Sequence, residues 1–482
     1  MKHVPVRRRL ATPVPTMLPT ALLLAACASA DPAHDQHTVQ ASLCERAGVT
    51  LPESADLVVG ASDDDVLALL REPLQPETAV RLLLLNNHRV RALQQRLGIA
   101  RADLVQAGLL RNPSLDLDAR FVEGGGTDLE FGLSQPVLEL FLRPLRQNLA
   151  AHEFTAAKLR VTDELVHLVF SVRRAFVEAQ AAQQLVDLHR QALVAATAAH
   201  ELTVELHAAG NVTDQALAVE RVFESRVRLD LASAELQARQ AREPLQNLLG
   251  LWGTLTDWTI AGALSDEPLQ DVDLAHVERR AVAASLDLAA HRAGLEAMAQ
   301  EAGLDSWRGL FPDLQLGPNG IRIPGGTWGF GPRVQFELPL FDAGTTRNTK
   351  NRARLAAGLH EHVQLGVEVR SAARLLRDRA TLLAEQARFL RTTHLPHRAE
   401  VVRTTLQVYN AMQIGVFDVL QQKQVQLADQ RDHTATLRAA HLAALDLRQL
   451  LAGSQPGTAL EHLVEGAGDT PTLRGGAAGV VR

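Results

Sequence analysis

The chain has 482 residues, with 49 Lys or Arg against 55 Asp or Glu, and a formal net charge of −6. This balance gives no electrostatic basis for binding nucleic acid. Two cysteines, Cys27 and Cys44, are too few for a disulfide framework, and only 4% of the residues are aromatic, which argues against a conventional large core.

The first 26 residues have the layout of a secretory signal peptide. Basic residues precede an apolar stretch that is too short to span a bilayer. The run Leu24-Ala25-Ala26-Cys27 resembles a bacterial lipoprotein cleavage box, in which Cys27 would become the first mature residue and carry lipid. The alternative is a plain signal peptide cut at an Ala-x-Ala site near residues 28–30. Residues 27–75 are polar and rich in proline, and we expect a lipid-anchored tether there.

The rest of the chain is a tandem duplication. Gln135-Pro136-Val137 recurs as Leu338-Pro339-Leu340, and Asn247-Leu248-Leu249 recurs as Gln449-Leu450-Leu451, each roughly 200 residues later. The segments 110–117 and 206–212 match 309–316 and 408–414 in the same order. We therefore predict one repeat at 76–252 and a second at 272–453, with a linker at 253–271 and a flexible tail at 454–482.

Each repeat predicts a helix, two strands and two long helices. The strands follow from a period of two in apolar residues, and the helices from helical spacing of Ala, Leu and Val. We expect Pro244 and Pro396 to kink or break their helices. The Gly317-Pro318-Asn319-Gly320 segment has the composition of a turn. The predicted strands span about 113–121, 129–137, 312–323 and 328–340; the long helices span about 145–209, 213–250, 345–411 and 416–452.

The strands carry one apolar face and one polar face, and they hold half of the aromatic residues within 113–141 and 307–341. Such a face can pack on a soluble core. Aromatic girdles and a wet lumen are instead typical of strands that cross a membrane as part of a closed barrel. Four strands cannot enclose a lumen, whereas three copies of the chain would supply twelve. The predicted lumen residues are Asp116, Asp118, Arg120, Glu130, Arg333 and Glu337.

The chain resembles the TolC family of outer-membrane efflux channels. The resemblance rests on the duplicated strand–strand–helix–helix unit, on Asn-Pro-Ser-Leu at 112–115, on residues 334–344 and on the turn at 409–420. It implies a mainly α-helical homotrimer whose twelve-stranded outer-membrane β-barrel continues into a periplasmic α-helical barrel. It also implies two partners, a periplasmic adaptor and an inner-membrane pump of the RND type.

The resemblance places a periplasmic gate at Tyr409, Asp418 and Gln421. Three copies of Asp418 would form a ring of carboxylates that favours cations. The alternative for Asp418 is a helix cap, and the two roles are compatible. Met412 stands where the family has Gly, and Gln421 where some members have an acidic residue. The turns that would contact the adaptor contain Gly210, Asn211, Thr213, Met412 and Gly415.

We expect no catalytic site, cofactor or metal centre. His200-Glu201 and His360-Glu361-His362 do not give the His-Glu-x-x-His spacing of a metalloprotease. Rival interpretations are a periplasmic helical-bundle scaffold with no channel and a lipid-anchored periplasmic enzyme. Within the channel class, the substrate stays open between drugs, heavy-metal cations and secreted protein, the last passing through a type I secretion outlet.

Overall fold

The computed structural model describes residues 33–49, 62–122, 126–270, 272–310, 314–322, 326–337, 340–341 and 344–457. The signal peptide, Cys27 and residues 458–482 lie outside them. The elements are α1 Ala33–Ala47, α2 Asp63–Leu70, α3 Pro76–Asn86, α4 His88–Gly108, β1 Ser114–Val122, β2 Gly126–Pro136, α5 Leu138–Ala208, α6 Asp214–Leu249, α7 Val277–Ala284, α8 Leu286–Leu310, β3 Gln315–Arg322, β4 Trp328–Gln335, α9 Thr345–Phe389, α10 Leu395–Asn410 and α11 Val416–Leu451.

The order of elements shows the duplication. In each half, a helix leads into two strands, a long descending helix and a returning helix. The descending helix α5 has 71 residues, which gives it a length of about 105 Å. Its counterpart is split into α9 and α10 by a π-helical turn at Leu390–His394, directly before Pro396. Pro396 thus breaks the α-helix as expected, whereas Pro244 lies inside a continuous α6.

The strands form one antiparallel sheet in the order β1-β2-β3-β4. The helices above and below keep the same lateral order. Next to the sheet, α4 packs on α5, α5 on α8 and α8 on α9; farther away, α6 packs on α5, α5 on α11 and α11 on α9. The fold is therefore a single layer with β1, α4 and α6 at one edge and β4, α9 and α10 at the other.

The main core lies largely in the first repeat and reaches the second through Leu286, Leu445 and Ala452. Leu82, Leu83, Leu165, Phe170 and Leu245 are among its fully buried residues, from α3, α5 and α6. Farther down the long helices the buried residues are mostly Ala, such as Ala234 and Ala238 of α6 against Val186 of α5. These small side chains let the helices approach closely. Among the described residues, none of the helices combines the length and apolar character that crossing a bilayer requires.

The segment expected to be a tether contains a packed helix. In α1, Val39, Leu43 and Ala47 follow a spacing of four residues and are buried in the main core. Arg46 donates to the carbonyl oxygens of Ala284, at 2.8 Å, and Ala452, at 3.0 Å, which end α7 and α11. The sequence predicted a tether and not a packed helix, because the three buried apolar residues of α1 are spread among many polar ones.

The predicted linker at 253–271 is also packed rather than free. Trp258 is buried, and the Arg242 guanidinium lies 4.0 Å from the centre of its indole ring and donates to its carbonyl oxygen. Ile260 forms a parallel bridge with Leu74. The start of the predicted tail is packed as well, because Ser454 is buried.

Two carboxylates are buried together where α5 meets α8. Burial and the charge of Asp287 raise the pKa of Asp163 to about 6, and burial raises the pKa of Asp287. Ser454 hydrogen-bonds to the Asp163 carboxylate and lowers its pKa, whereas the charge of Glu164 raises it. The ionised form of Asp163 is therefore less favourable in the folded protein than in the unfolded chain.

We predict that Asp163→Asn stabilises the protein at neutral pH. Because the folded pKa is raised, wild type has its full stability below the unfolded pKa of 3.8 and loses part of it as the pH rises to about 6. The variant lacks this loss, which is worth up to about 3 kcal/mol. Its thermal midpoint should exceed that of wild type at pH 7.5 and converge with it towards pH 4. Glu164→Gln, at a more exposed position, is the control; equal midpoints of wild type and Asp163→Asn at pH 7.5 would contradict the prediction.

Candidate functional site

One face of the sheet is apolar and exposed. It carries Leu115, Leu117 and Phe121 of β1 and Trp328, Phe330 and Val334 of β4, and Phe330 is 74% exposed. Phe336, Leu340 and Phe341 beyond β4 are exposed as well. Soluble monomers rarely expose so large an apolar patch, so this face requires an apolar environment.

An aromatic cluster organises the middle of the apolar face. The ring centroids of Phe131 and Trp328 lie 5.7 Å apart, and those of Phe131 and Phe330 lie 6.0 Å apart. The Phe131 ring lies over Gly320, where an added Cβ would come within 2.4 Å of it. Gly320 is thus needed inside the strand, and the segment predicted as a turn at 317–320 is part of β3. Its glycines allow close approach rather than a reversal of the chain.

The opposite face is polar and carries the predicted lumen residues of the strands. Arg333 of β4 extends across the sheet, and its guanidinium lies 3.6 Å from the carboxylate of Asp116 on β1. It lies over Gly132, where a Cβ would come within 2.9 Å of it. Asn319 of β3 donates to Glu130 of β2 at 3.1 Å. These contacts join both repeats on the polar face, and Asn319 is a member that sequence reasoning missed because it was assigned to a turn.

Negative charge is in excess on the polar face. Asp118 and Glu130 stand directly opposite each other in the register, an arrangement that is unfavourable for two ionised groups. Arg120 lies 3.6 Å from the Asp118 carboxylate, and Glu337 is exposed beyond the end of β4. A face with this charge suits contact with water and favours cations over anions.

The turn between α5 and α6 is built by backbone geometry. Gly210 has a φ of +77°, and the N–H of Asn211 donates to the Leu206 carbonyl at 2.8 Å. Thr213 caps α6 by accepting from the Ala216 N–H at 3.3 Å. Gly210, Asn211 and Thr213, three of the five residues predicted to contact an adaptor, therefore lie in one exposed turn between two helices.

The turn between α10 and α11 has the same geometry with a different residue. Met412 takes a φ of +61° and is 94% exposed, and its N–H donates to the Tyr409 carbonyl at 2.8 Å. The Gly415 N–H donates to the carboxylate of Asp418 at 3.1 Å. Asp418 is thus a helix cap, and it remains exposed like Gln421 one turn farther along α11.

The comparisons with known proteins bear on these features. Residues 79–251 match the family model described as outer membrane efflux protein. The fold is similar to that of the CmeC outer membrane channel of Campylobacter jejuni, with 12% sequence identity, coverage of 87% of this chain and 97% of that chain, and a TM-score of 0.64. It is similar to that of the open-state MtrE outer membrane channel of Neisseria gonorrhoeae, with 15% identity, coverage of 84% of this chain and 94% of that chain, and a TM-score of 0.63. It is also similar to that of the outer membrane protein VceC of Vibrio cholerae, with 16% identity, coverage of 79% of this chain and 96% of that chain, and a TM-score of 0.64. No curated protein matches the sequence.

The predicted resemblance to outer-membrane efflux channels is confirmed. The sequence similarity lies in the first repeat, and the similarity in fold extends over both repeats. The efflux-channel fold also accounts for the two-faced sheet at one end of a long helical layer.

The two turns give a matched prediction about backbone strain. A residue other than Gly at positive φ costs about 1 kcal/mol or more, partly offset by the entropy that a Gly loses on folding. Met412→Gly should therefore raise the hydrogen-exchange protection factors (intrinsic rate divided by observed rate) of the amides at positions 412 and 413 about two- to fivefold. Gly210→Ala should speed exchange of the Gly210 and Asn211 amides, because its Cβ meets nothing within 4 Å and only conformation changes. Changes of the same sign in both turns would contradict the account.

Proposed function

We propose that the chain is one subunit of a trimeric outer-membrane channel that passes substrates passively from a periplasmic adaptor and an inner-membrane pump of the RND type to the exterior. The observation that carries this proposal is a sheet with an exposed apolar face, a charged opposite face and two open edges. Four strands are too few to enclose a lumen, whereas three copies supply the twelve strands of a barrel.

The hydrogen-bonding directions of the edge strands support pairing between copies. Pro318 and Pro332 stand opposite each other, and neither has an N–H, so the even-numbered residues of β4 direct their backbone groups away from β3. The same alternation, followed through β2, directs the backbone groups of Leu115, Leu117 and Ala119 on β1 towards the other open edge. On both edges these outward-directed residues belong to the apolar face. Pairing β4 with β1 of a second copy therefore continues each face unchanged.

The long helices would extend the barrel into the periplasm. They pack side by side in one layer, so three layers side by side would make a hollow cylinder that continues the lumen. Its far end carries the two exposed turns. We propose that Gly210, Asn211, Thr213, Met412 and Gly415 contact the adaptor there, and that Asp418, with Tyr409 and Gln421, forms the gate. Asp418 serves as cap and as gate residue at once, because capping leaves its carboxylate exposed.

A periplasmic scaffold without a channel is disfavoured by the exposed apolar face. A scaffold would need a soluble partner to cover Phe121, Trp328 and Phe330. A scaffold role also gives no reason for the charge on the opposite face. The choice among drugs, metal cations and secreted protein rests with the pump, because a passive tunnel takes its specificity largely from the pump that it meets.

The trimer is tested by the mass of the detergent-extracted protein. We expect three copies per particle for wild type and for Ala119→Val. Ala119→Pro removes one outward-directed N–H at the open edge, where a proline leaves the bonds to β2 intact, and should reduce the trimeric fraction. A wild-type protein that is monomeric and soluble without detergent would contradict the channel proposal.

We further propose that Cys27 carries lipid at the outer membrane. Asp35 of α1 lies 3.6 Å from Arg101 of α4, about 10 Å below the end of α4 nearest the sheet. The chain from Cys27 to Ala33 spans at most about 20 Å. A lipid on Cys27 can therefore reach the bilayer at the end of the barrel that the helices enter.

Labelling with radioactive palmitate tests this anchor. Wild type should incorporate label and Cys27→Ala should not, whereas Cys44→Ser should be labelled like wild type. Equal labelling of wild type and Cys27→Ala would rule out Cys27 as the site.

A further inference from the structure

The charges on the polar face of the sheet fall into an outer and an inner group. At the end far from the helices, Arg120 lies 3.6 Å from the carboxylate of Asp118 and stands opposite Asp128. In the half nearer the helices, the charged residues that the described strands place on this face are Asp116 and Arg333. The inner half of the sheet thus carries one negative and one positive group.

The side chain of Arg333 extends sideways across the sheet. It starts on β4, and its guanidinium lies 3.6 Å from the carboxylate of Asp116 on β1, three strands away. Adjacent strands lie about 4.8 Å apart, so the contact requires a long side chain. The guanidinium is therefore held at a fixed place in front of the inner half of the sheet.

Small residues leave a clear path for this side chain. Gly317 stands opposite Arg333 in the register, and Ser114 and Ser134 continue the same row on β1 and β2. Gly132 lies beneath the guanidinium, where a Cβ would come within 2.9 Å of it, and Gly132 is buried. The glycine and serine content of these rows is thus explained by the reach of one arginine from the second repeat to the first.

Both members of the pair remain in contact with water. The side chain of Arg333 is 36% exposed and that of Asp116 is 53% exposed. A pair at this exposure adds little to stability, whereas an ion that passes within about 10 Å still responds to its net charge. Loss of either member would leave one uncompensated charge on the inner half of each copy.

We infer that Arg333 sets the ion preference at the inner end of the barrel by balancing the charge of Asp116. The inference rests on the proposed trimer, in which three such pairs form a neutral ring where the helical tunnel opens into the barrel. Without Arg333 the ring would carry uncompensated carboxylates, which attract cations and repel anions. Arg333 thereby limits the cation preference that the acidic outer half imposes and keeps the entrance open to anionic substrates.

Reversal potentials of the full-length protein in planar lipid bilayers, under a gradient of potassium chloride, test this role. All proteins carry Asp418→Asn, so that the proposed gate ring does not dominate the measurement. Arg333→Gln should raise the ratio of potassium to chloride permeability about twofold or more, and Asp116→Asn should lower it by a similar factor. The combination of Asp116→Asn with Arg333→Gln should restore the ratio of the starting protein.

Arg322→Gln is the matched control. Arg322 of β3 stands opposite Leu129 and therefore belongs to the apolar face, outside the lumen. This variant makes the same chemical change as Arg333→Gln and should leave the permeability ratio unchanged. Arg333→Lys keeps the positive charge and should also stay close to the starting protein.

Three results would count against the inference. Conducting trimers in which Arg333→Gln and Asp116→Asn leave the permeability ratio unchanged would overturn it, while the trimeric channel would stand. An equal shift of the ratio by Arg322→Gln would overturn it as well, because a charge outside the lumen would then have the same effect. A protein that forms neither trimers nor conducting channels would remove the proposed function together with this role of Arg333.

Discussion

A sheet edge placed inside a bilayer must find a hydrogen-bond partner, because hydrocarbon offers none. This constraint governs the molecule. The apolar face of the sheet is stable only in an apolar surrounding, and in that surrounding the open edges of β1 and β4 need further strands as hydrogen-bond partners. A single chain cannot meet both demands, since four strands are too few to close on themselves. In the proposed channel, the assembly of copies is therefore a consequence of backbone chemistry rather than of any particular side chain.

The long helices, like the strands, lack lateral neighbours at two edges. In the parts of the helices that lie far from the sheet the buried residues are mostly Ala, so each helix approaches its neighbour closely there but buries little apolar area per residue. Stability along a layer about 105 Å long then depends on continuous lateral contact, which the two edges lack within one chain. The main core, which includes Trp258, joins the first repeat to Leu286, Leu445 and Ala452 of the second, and Arg46 bonds to the carbonyl groups at the ends of α7 and α11.

The sequence predicted the parts that depend on period. Alternation along residues 113–121 and 328–340 predicted strands and their faces, and the duplication predicted the equivalent helices. It could not predict α1, because Val39 and Leu43 are buried only by helices that follow much later in the chain. It placed a strand at 312–323 but assigned a turn to 317–320 within it, because these glycines are explained only by the ring of Phe131 on another strand. The capping of Gly415 by Asp418 was among the alternatives, and geometry was needed to show that it leaves the carboxylate exposed.

The orientation of the sheet is the central claim, and adjacent residues of β4 test it most directly. An environment-sensitive fluorophore on Phe330→Cys should be quenched by lipids with brominated acyl chains and protected from the neutral, water-soluble quencher acrylamide. The same fluorophore on Gly331→Cys, where a side chain meets nothing within 4 Å, should show the reverse. Acrylamide quenching of both positions, with none from brominated lipid, would contradict a lipid-facing sheet and the channel built on it.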